Sequence, residues 1–329
     1  MSKPPVSLAA IQEARRRIVS VAYRTPLFFS PGLSSMTKSR VYLKLESYQP
    51  IRVFKVRGAA NKILKLSDED RKHGLIAASS GNHGLAVSYL AKLVGATATI
   101  VVPTNAVEEK VRAIEEYGAN VVRHGLFHDE RFEKAEEIQR VSGATLIPPF
   151  DDPDVIAGQG TIGLEILEDL PDVQTVIVPI GGGGLIAGIS TAIKSLKPAA
   201  KIVGVEPERA SSMYQSIRNG RITHLTDTTS IADGLATREP GKLTYEIAKR
   251  NVDEILLVSE EQIEKAVFTV MKECHIVVEP SAAAAFAALI EKWKAGQGGN
   301  IVVVVSGGNV SMKTLSAVLA RYGQSLTPT

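Results

Sequence analysis

The chain has 329 residues, 44% of them hydrophobic and 22% charged, and a formal net charge of +3. That composition belongs to a globular chain with material for two domains or one large one. Its scattered Lys and Arg leave no electrostatic footprint for nucleic acid or an anionic membrane surface. Cys274 is the single cysteine, which excludes an internal disulfide framework and fits a reducing cytoplasm. The N-terminal Met-Ser-Lys-Pro-Pro has no apolar signal core, and no run of about 18 apolar residues occurs, so neither secretion nor membrane spanning is expected.

In chain order, an early amphipathic helix carries Arg15, Arg16 and Arg17, which reads as a solvated face. Lys55 follows in Glu46-Ser-Tyr-Gln-Pro-Ile-Arg-Val-Phe-Lys-Val-Arg-Gly-Ala59. Taken alone, such a lysine is a surface charge. Aromatic and aliphatic neighbours would desolvate it, however, and lower its pKa toward an amine able to form a Schiff base. From Leu75 to Phe150 short apolar runs (75–78, 98–102, 120–123, 145–147) alternate with helical periods, the grammar of parallel strands and crossover helices. Ser79-Ser80-Gly81-Asn82-His83-Gly84, just after the first of those runs, is an anion-binding turn suited to a carboxylate.

The same alternation resumes after Asp154, with strands expected at 175–180, 201–205 and 301–305. Four glycines, Gly181 to Gly184, sit between the first of these and a helical stretch. A loop without β-carbons at a helix N-terminus is a phosphate cradle. It satisfies a dinucleotide fingerprint, Gly182-x-Gly184-x-x-Ala187 with Glu206 after the next strand, so an NAD-dependent oxidoreductase is one reading. The missing Gly-Lys-Ser/Thr argues against a P-loop. Ser306-Gly-Gly-Asn309 follows the last strand. The expected fold is α/β with two lobes, each a mostly parallel sheet flanked by helices. Residues 74–150 form a small inserted domain, and 1–73 plus 151–329 form the larger one. Ligands in such folds lie beyond the carboxyl ends of the strands.

A reactive amine, a phosphate cradle, a carboxylate turn and a strand-end hydroxyl are together what pyridoxal phosphate chemistry on an amino acid requires. Lys55 in Phe-Lys-x-Arg-Gly-Ala, the Ser-Ser-Gly-Asn-His turn, Pro149-Phe-Asp-Asp-Pro153, Val155-Ile-Ala-Gly-Gln-Gly-Thr161, Gly181-Gly-Gly-Gly-Leu185, Ile231-Ala-Asp-Gly234, Glu279-Pro-Ser281 and Ser306-Gly-Gly-Asn309 occur in this order. Together they resemble the threonine dehydratase and serine racemase family, of the tryptophan synthase β type (fold type II). The resemblance implies that Lys55, beside Phe54, binds the aldehyde of pyridoxal 5'-phosphate and later takes the α-proton. Gly181, Gly182, Gly183, Gly184 and Leu185 would hold the phosphate, Asn82 the ring's phenolic oxygen and Ser306 the pyridine nitrogen, with Glu279 near the ring. Ser79, Ser80, Gly81, Asn82 and His83 would receive the substrate carboxylate, His83 as a backbone donor. A hydroxyl does not keep the ring nitrogen protonated, which favours β-elimination. The implied activity is dehydration of L-threonine or L-serine to a 2-oxo acid and ammonia by a cytoplasmic homo-oligomer, dimer or tetramer. The chain's end shortly after the Ser306 helix leaves no C-terminal regulatory domain to be expected.

The pattern is broken at three places. The family's Thr-Gly-Ser before Phe-Lys is Ile51-Arg52-Val53 here, so the loop is expected to change shape and gain a cation. Arg52 would either be a surface residue, supplement phosphate binding or favour a hydroxylated aspartate. Ser80 matches the second acid–base group of serine racemases, which makes racemisation the nearest alternative activity. The racemases' cation site resembles Glu206 and the carbonyl of Ala210, but Ser212 replaces an aspartate, leaving a weak site for Mg²⁺ or another cation. Leu85 replaces a glutamine, so nucleotide activation is not expected.

Overall fold

The computed structural model describes residues 6–126, 128–293 and 299–323. The N-terminal pentapeptide in which no signal core was read lies outside them. Ten strands are assigned among the described residues: β1 (Leu27–Phe29), β2 (Arg40–Leu45), β3 (Leu75–Ala78), β4 (Ala98–Val102), β5 (Asn120–Arg123), β6 (Thr145–Leu146), β7 (Thr175–Pro179), β8 (Lys201–Pro207), β9 (Glu254–Val258) and β10 (Asn300–Val305). They form a six-stranded sheet in the order β1-β2-β10-β7-β8-β9 and a four-stranded sheet in the order β5-β4-β3-β6. Only the β1–β2 pair is antiparallel.

The central strands are continuous Val/Ile runs, as sheets covered on both faces demand. Every residue of β3, β7 and β10 is buried. The alanine-rich helix Pro280–Glu291 packs against β7, β8, β9 and β10, its small side chains allowing close approach. Three strands of the large sheet escape periodicity arguments, the three-residue edge strand β1 among them. In β2, Lys44 is fully buried and paired, its Nζ lying 2.6 Å from Glu165 of the helix Pro153–Asp169. Edge strand β9 is only partly covered. Strand β8 also runs further than expected. Pairing with β9 carries it through Glu206↔Leu257 and Pro207↔Val258, so Glu206 lies within the strand rather than after it.

The carboxyl ends of β3, β7 and β10 deliver the Ser79 turn, the glycine loop and the Ser306 loop respectively. Among the described residues no helix is long and apolar enough to cross a membrane.

Candidate active site

Lys55 opens the helix Lys55–Lys65. The segment before it is an antiparallel stitch onto the Ser306 loop: Phe54 N–H donates to Ser306 O at 3.0 Å, Gly308 N–H to Arg52 O at 2.9 Å, and Val53 bridges Gly307. Ile51 and Val53 turn into the core while Arg52, between them, is exposed and adopts φ 60°. That left-handed conformation costs a non-glycine residue about 1–2 kcal/mol. The Lys55 Nζ donates to Pro149 O at 2.7 Å and lies 5.1 Å from the Phe54 ring centroid. Burial of the amine brings its pKa down to about 8, against the opposing pull of Glu279.

Two residues further on, Arg57 is 1% exposed. Its guanidinium holds Glu46 at 2.7 and 2.9 Å and Glu165 at 2.6 and 2.9 Å, and also donates to Thr161 Oγ1 and Tyr23 O. This bidentate double pair ties the first turn of the Lys55 helix to the turn Glu46–Tyr48 that follows β2 and to the helix Pro153–Asp169. Arg57 is the arginine of the Phe-Lys-x-Arg-Gly-Ala motif, but nothing in that motif shows its two distant carboxylates.

The glycine loop leads into the helix Gly184–Leu196, whose N-terminus offers backbone donors and the positive end of the dipole. Gly183 has φ 91°, and a β-carbon on Gly182 would lie 2.3 Å from the ring of Phe150. The loop is pinned from outside by Thr244 Oγ1, which donates to Gly182 O at 2.7 Å. Asp151 in turn accepts from the N–H groups of Lys242, Leu243 and Thr244, capping the helix Lys242–Asn251 against the loop. Leu185 is buried in the core behind the loop. Gly181 abuts Gly234 O, and Gly234 N–H donates to Ser281 Oγ at 3.0 Å. The Ile231–Gly234 and Glu279–Ser281 motifs therefore meet at the cradle.

Asn82 begins the helix Asn82–Val94. Its Nδ2 donates to Glu279 Oε1 and Oε2 at 2.9 and 3.0 Å, while its Oδ1 accepts from Asn309 Nδ2 at 2.8 Å. Burial raises the Glu279 carboxyl to about 7, the Asn82 bonds offsetting part of the rise. Ser79, Ser80 and Gly81 are half-buried in the preceding turn, where Gly81 N–H donates to Ser79 Oγ at 3.3 Å. The His83 ring is committed elsewhere. Burial, and then the charge of Lys55, depress its pKa to about 3, so it is neutral and donates from Nε2 to Ile147 O at 2.7 Å. That bond braces the strand end that leads to Pro149 O, the partner of Lys55. Ser306 is 3% exposed, and next to it a β-carbon on Gly307 would meet Glu279 at 2.5 Å.

Lys55, Phe54 and Ser306 are thus joined by direct contacts, Asn82 and Glu279 by others, and Glu279 N–H, donating to Gly307 O at 3.2 Å, links the two groups; Pro149-Phe150 continues the set to the glycine loop. Asp151, Asn309 and Arg57 lie within the quoted motifs, which gave them no role, and Thr244 lies outside all of them. The cluster has what pyridoxal phosphate needs: a desolvated amine, a cradle with no room for β-carbons, an amide donor and a buried hydroxyl.

Glu206 stands apart. It is fully buried, its carboxylate accepting from Met213 and Tyr214 N–H at 2.9 and 2.8 Å at the start of the helix Ser212–Asn219. Burial pushes its pKa up to about 8. A carboxylate so engaged does not reach a ribose, which removes the support for the oxidoreductase reading. Ser212 Oγ is buried without a hydrogen-bond partner beside it. No group of three His, Cys, Asp or Glu able to hold a metal exists among the described residues. Glu206, the Ala210 carbonyl and one hydroxyl are a poor donor set for Mg²⁺.

Residues 18–307 match the family model described as pyridoxal-phosphate dependent enzyme. L-threonine ammonia-lyase of Thermotoga maritima is 44% identical over 314 residues, covering 95% of this chain and 78% of that protein. The catabolic L-threonine dehydratase TdcB of Staphylococcus aureus (strain N315) is 46% identical over 330 residues, 98% of this chain and 94% of its relative. The solved structure of maize serine racemase superposes with a TM-score of 0.92 at 36% identity, covering 98% and 99% of the two chains. With the fold, the clustered loops and these matches in agreement, the chain belongs to the family of pyridoxal-phosphate dependent enzymes.

Proposed function

We propose that this enzyme converts L-threonine or L-serine to a 2-oxo acid and ammonia by α,β-elimination. The observation that carries the reading is the Lys55 amine, desolvated to a pKa of about 8 and held against Pro149 O beside the Asn82–Glu279 pair. Pyridoxal phosphate supplies an aldehyde that captures the substrate amine and a ring that acidifies its α-hydrogen. Lys55 would hold the aldehyde at rest, and its amine, once released, would remove the α-proton; with a pKa of about 8, about a tenth to a half of it is neutral between pH 7 and 8, against well under a hundredth for an ordinary lysine. The N–H groups of Gly181 to Leu185 bind the phosphate, with Phe54 flanking the amine. Asn82 donates to the ring oxygen, and Glu279 keeps the amide in place. The turn Ser79-Ser80-Gly81-Asn82-His83 takes the substrate carboxylate through its N–H and hydroxyl donors. Ser306 would face the ring nitrogen without protonating it, leaving a weak electron sink suited to expelling a β-hydroxyl. The hydroxyl leaves with one proton as water, and hydrolysis of the released enamine yields the 2-oxo acid and ammonia.

In this reading residues 74–150 are the smaller domain, carrying the carboxylate turn, and 1–73 with 151–329 the cofactor-binding one. The enzyme works in the cytoplasm as a homo-oligomer, dimer or tetramer. Borohydride treatment of the coloured holoenzyme should bleach it and add the cofactor's mass to the Lys55 peptide. L-threonine should then yield 2-oxobutanoate and ammonia in equal amounts. Labelling of a different lysine, or no ammonia from either substrate, would sink the proposal.

Serine racemisation is the second reading, favoured by the likeness to maize serine racemase and by Ser80 in the carboxylate turn. Two acid–base groups, Lys55 and Ser80, would serve the two faces of the α-carbon. Ser80→Ala should abolish any D-serine formation and spare elimination. Hydroxyaspartate is the third substrate to assay. If Arg52 selects it, Arg52→Ala lowers hydroxyaspartate turnover and leaves threonine turnover intact, whereas the reverse pattern discards the idea.

A further inference from the structure

Asn309 has no role in the chemistry above, yet it touches three of the segments that build the site. Its backbone N–H donates to the Glu279 carboxylate. Its side-chain Nδ2 donates to Ile51 O at 3.0 Å, in the segment leading to Lys55, and to Asn82 Oδ1 at 2.8 Å. Ile51 O is an acceptor only, so this pair of bonds defines which end of the Asn309 amide faces inward. With Asn309 donating, Asn82 must present its oxygen to Asn309 and its Nδ2 to the other side, where Glu279 accepts it at 2.9 and 3.0 Å. The orientation of one primary amide is therefore passed to the next.

We infer that Asn309 is the positioning residue that fixes the Asn82 amide as a hydrogen-bond donor toward the cofactor's ring oxygen. The inference rests on the assignment of Asn82 to that oxygen. An amide turned by 180° about its last bond would put Oδ1 against the phenolic oxygen, replacing an attraction with a repulsion at the same heavy-atom positions. Sterically the two orientations are nearly identical, so packing alone does not choose between them. Asn309 chooses from one side as Glu279 does from the other: Asn309 can only donate to the Ile51 carbonyl, and it reads out to Asn82 across the gap between the Ser306 loop and the helix Asn82–Val94. The same side chain ties that choice to the Lys55 loop through Ile51.

The test is a pH titration of the visible absorption of the holoenzyme for the wild type, Asn309→Asp, Asn82→Ala and the double variant. A carboxylate only accepts, so in Asn309→Asp both neighbours of Asn82 are acceptors, its Nδ2 is drawn to the new carboxylate as well as to Glu279, and the ring oxygen loses its donor. A donor on that oxygen favours its anionic, deprotonated form. Losing the donor should raise the midpoint by about one to two pH units, the worth of one hydrogen bond to a charged group. Asn82→Ala should raise it by a similar amount, and the double variant should shift no further than either single one. An unmoved midpoint in Asn309→Asp alongside a shifted one in Asn82→Ala overturns the inference alone, as do additive shifts. An unmoved midpoint in Asn82→Ala overturns the assignment of Asn82 and the inference with it. Thermal melting of each apoprotein accompanies the titration. Should Asn309→Asp not fold, Asn309→Ala, which frees the amide to turn, should give a smaller upward shift, and no shift would again count against the inference.

Discussion

The phosphate cradle can be tested by adding one methyl group. In Gly182→Ala the new β-carbon would sit 2.3 Å from Cδ1 and 2.4 Å from both Cε1 and Cγ of Phe150, where ordinary contact begins near 3.4 Å. About 1.1 Å must be found. The obstacle is the body of a ring rather than the end of a flexible chain, and on the other side Gly182 O is held by Thr244 Oγ1 at 2.7 Å. Overpacking of this kind costs about 1–3 kcal/mol if the fold absorbs it. If the loop moves instead, at least one N–H leaves the phosphate, and a charge-assisted hydrogen bond is worth about 1.5–3 kcal/mol. The expected result is cofactor affinity weakened about ten- to a hundredfold, measured by titrating apoprotein with pyridoxal phosphate and following absorption. Phe150→Ala removes all three clashing atoms, so the double variant should bind at least several-fold better than Gly182→Ala alone. Cofactor affinity within twofold of wild type in Gly182→Ala, with an unchanged melting temperature, would refute the reasoning.

Arg57→Met should destabilise the protein by about 3–5 kcal/mol in denaturant unfolding, because Glu46 and Glu165 stay buried without their partner. In the wild type Glu46 titrates below its ordinary 4.5, so its contribution is intact above that pH and is lost as pH falls through the depressed value; Arg57→Met should lack this loss. His83, depressed from 6.5 to about 3, binds a proton more readily unfolded than folded. Stability should therefore fall between pH 6.5 and 3, by on the order of 5 kcal/mol from this group, and His83→Gln should flatten the acid limb of a melting-temperature profile. Capture of pyridoxal phosphate by the apoprotein should accelerate with pH to a midpoint near 8, the pKa of Lys55; a stopped-flow midpoint above 10 would mean that the amine is not desolvated.

The sequence shows best what is encoded within a few residues. Lys55, the glycine loop and the Ser79–Gly84 turn each combine a strand end, a helix start and residues of unusual backbone freedom, so their places were legible before any coordinates. Strand β2 was not, because Lys44 breaks its apolar run and is neutralised by Glu165 on a distant helix. Arg57 reads as an ordinary cation until its partner 108 residues away is brought beside it. Asn309 and Thr244 act over separations of 227 and 62 residues. Thr244 lies outside every motif, and Asn309, although it closes Ser306-Gly-Gly-Asn309, shows there only as a polar side chain next to a turn, compatible with a cap, a solvated surface or a buried brace. Glu206 misled for the complementary reason. Its spacing from the glycines imitates a ribose ligand, and only pairing with β9 reveals that it lies inside a strand, turned to the start of a helix.

The departure at Ile51-Arg52-Val53 has a different physical meaning from the one its side chains suggest. The stitch between this segment and the Ser306 loop consists of backbone groups: Phe54 N–H to Ser306 O, Gly308 N–H to Arg52 O, and the Val53–Gly307 bridge. Backbone bonds do not depend on side-chain identity, so they can survive replacement of the family's Thr-Gly-Ser. Arg52 takes φ 60°, a conformation that a glycine at that place adopts freely, and Ile51 and Val53 contribute apolar burial where hydroxyls were expected. The position of Lys55 relative to Ser306 is thus carried by main-chain geometry, while the exposed Arg52 side chain is left open to variation. That division explains how an altered lysine loop coexists with an otherwise complete set of site residues.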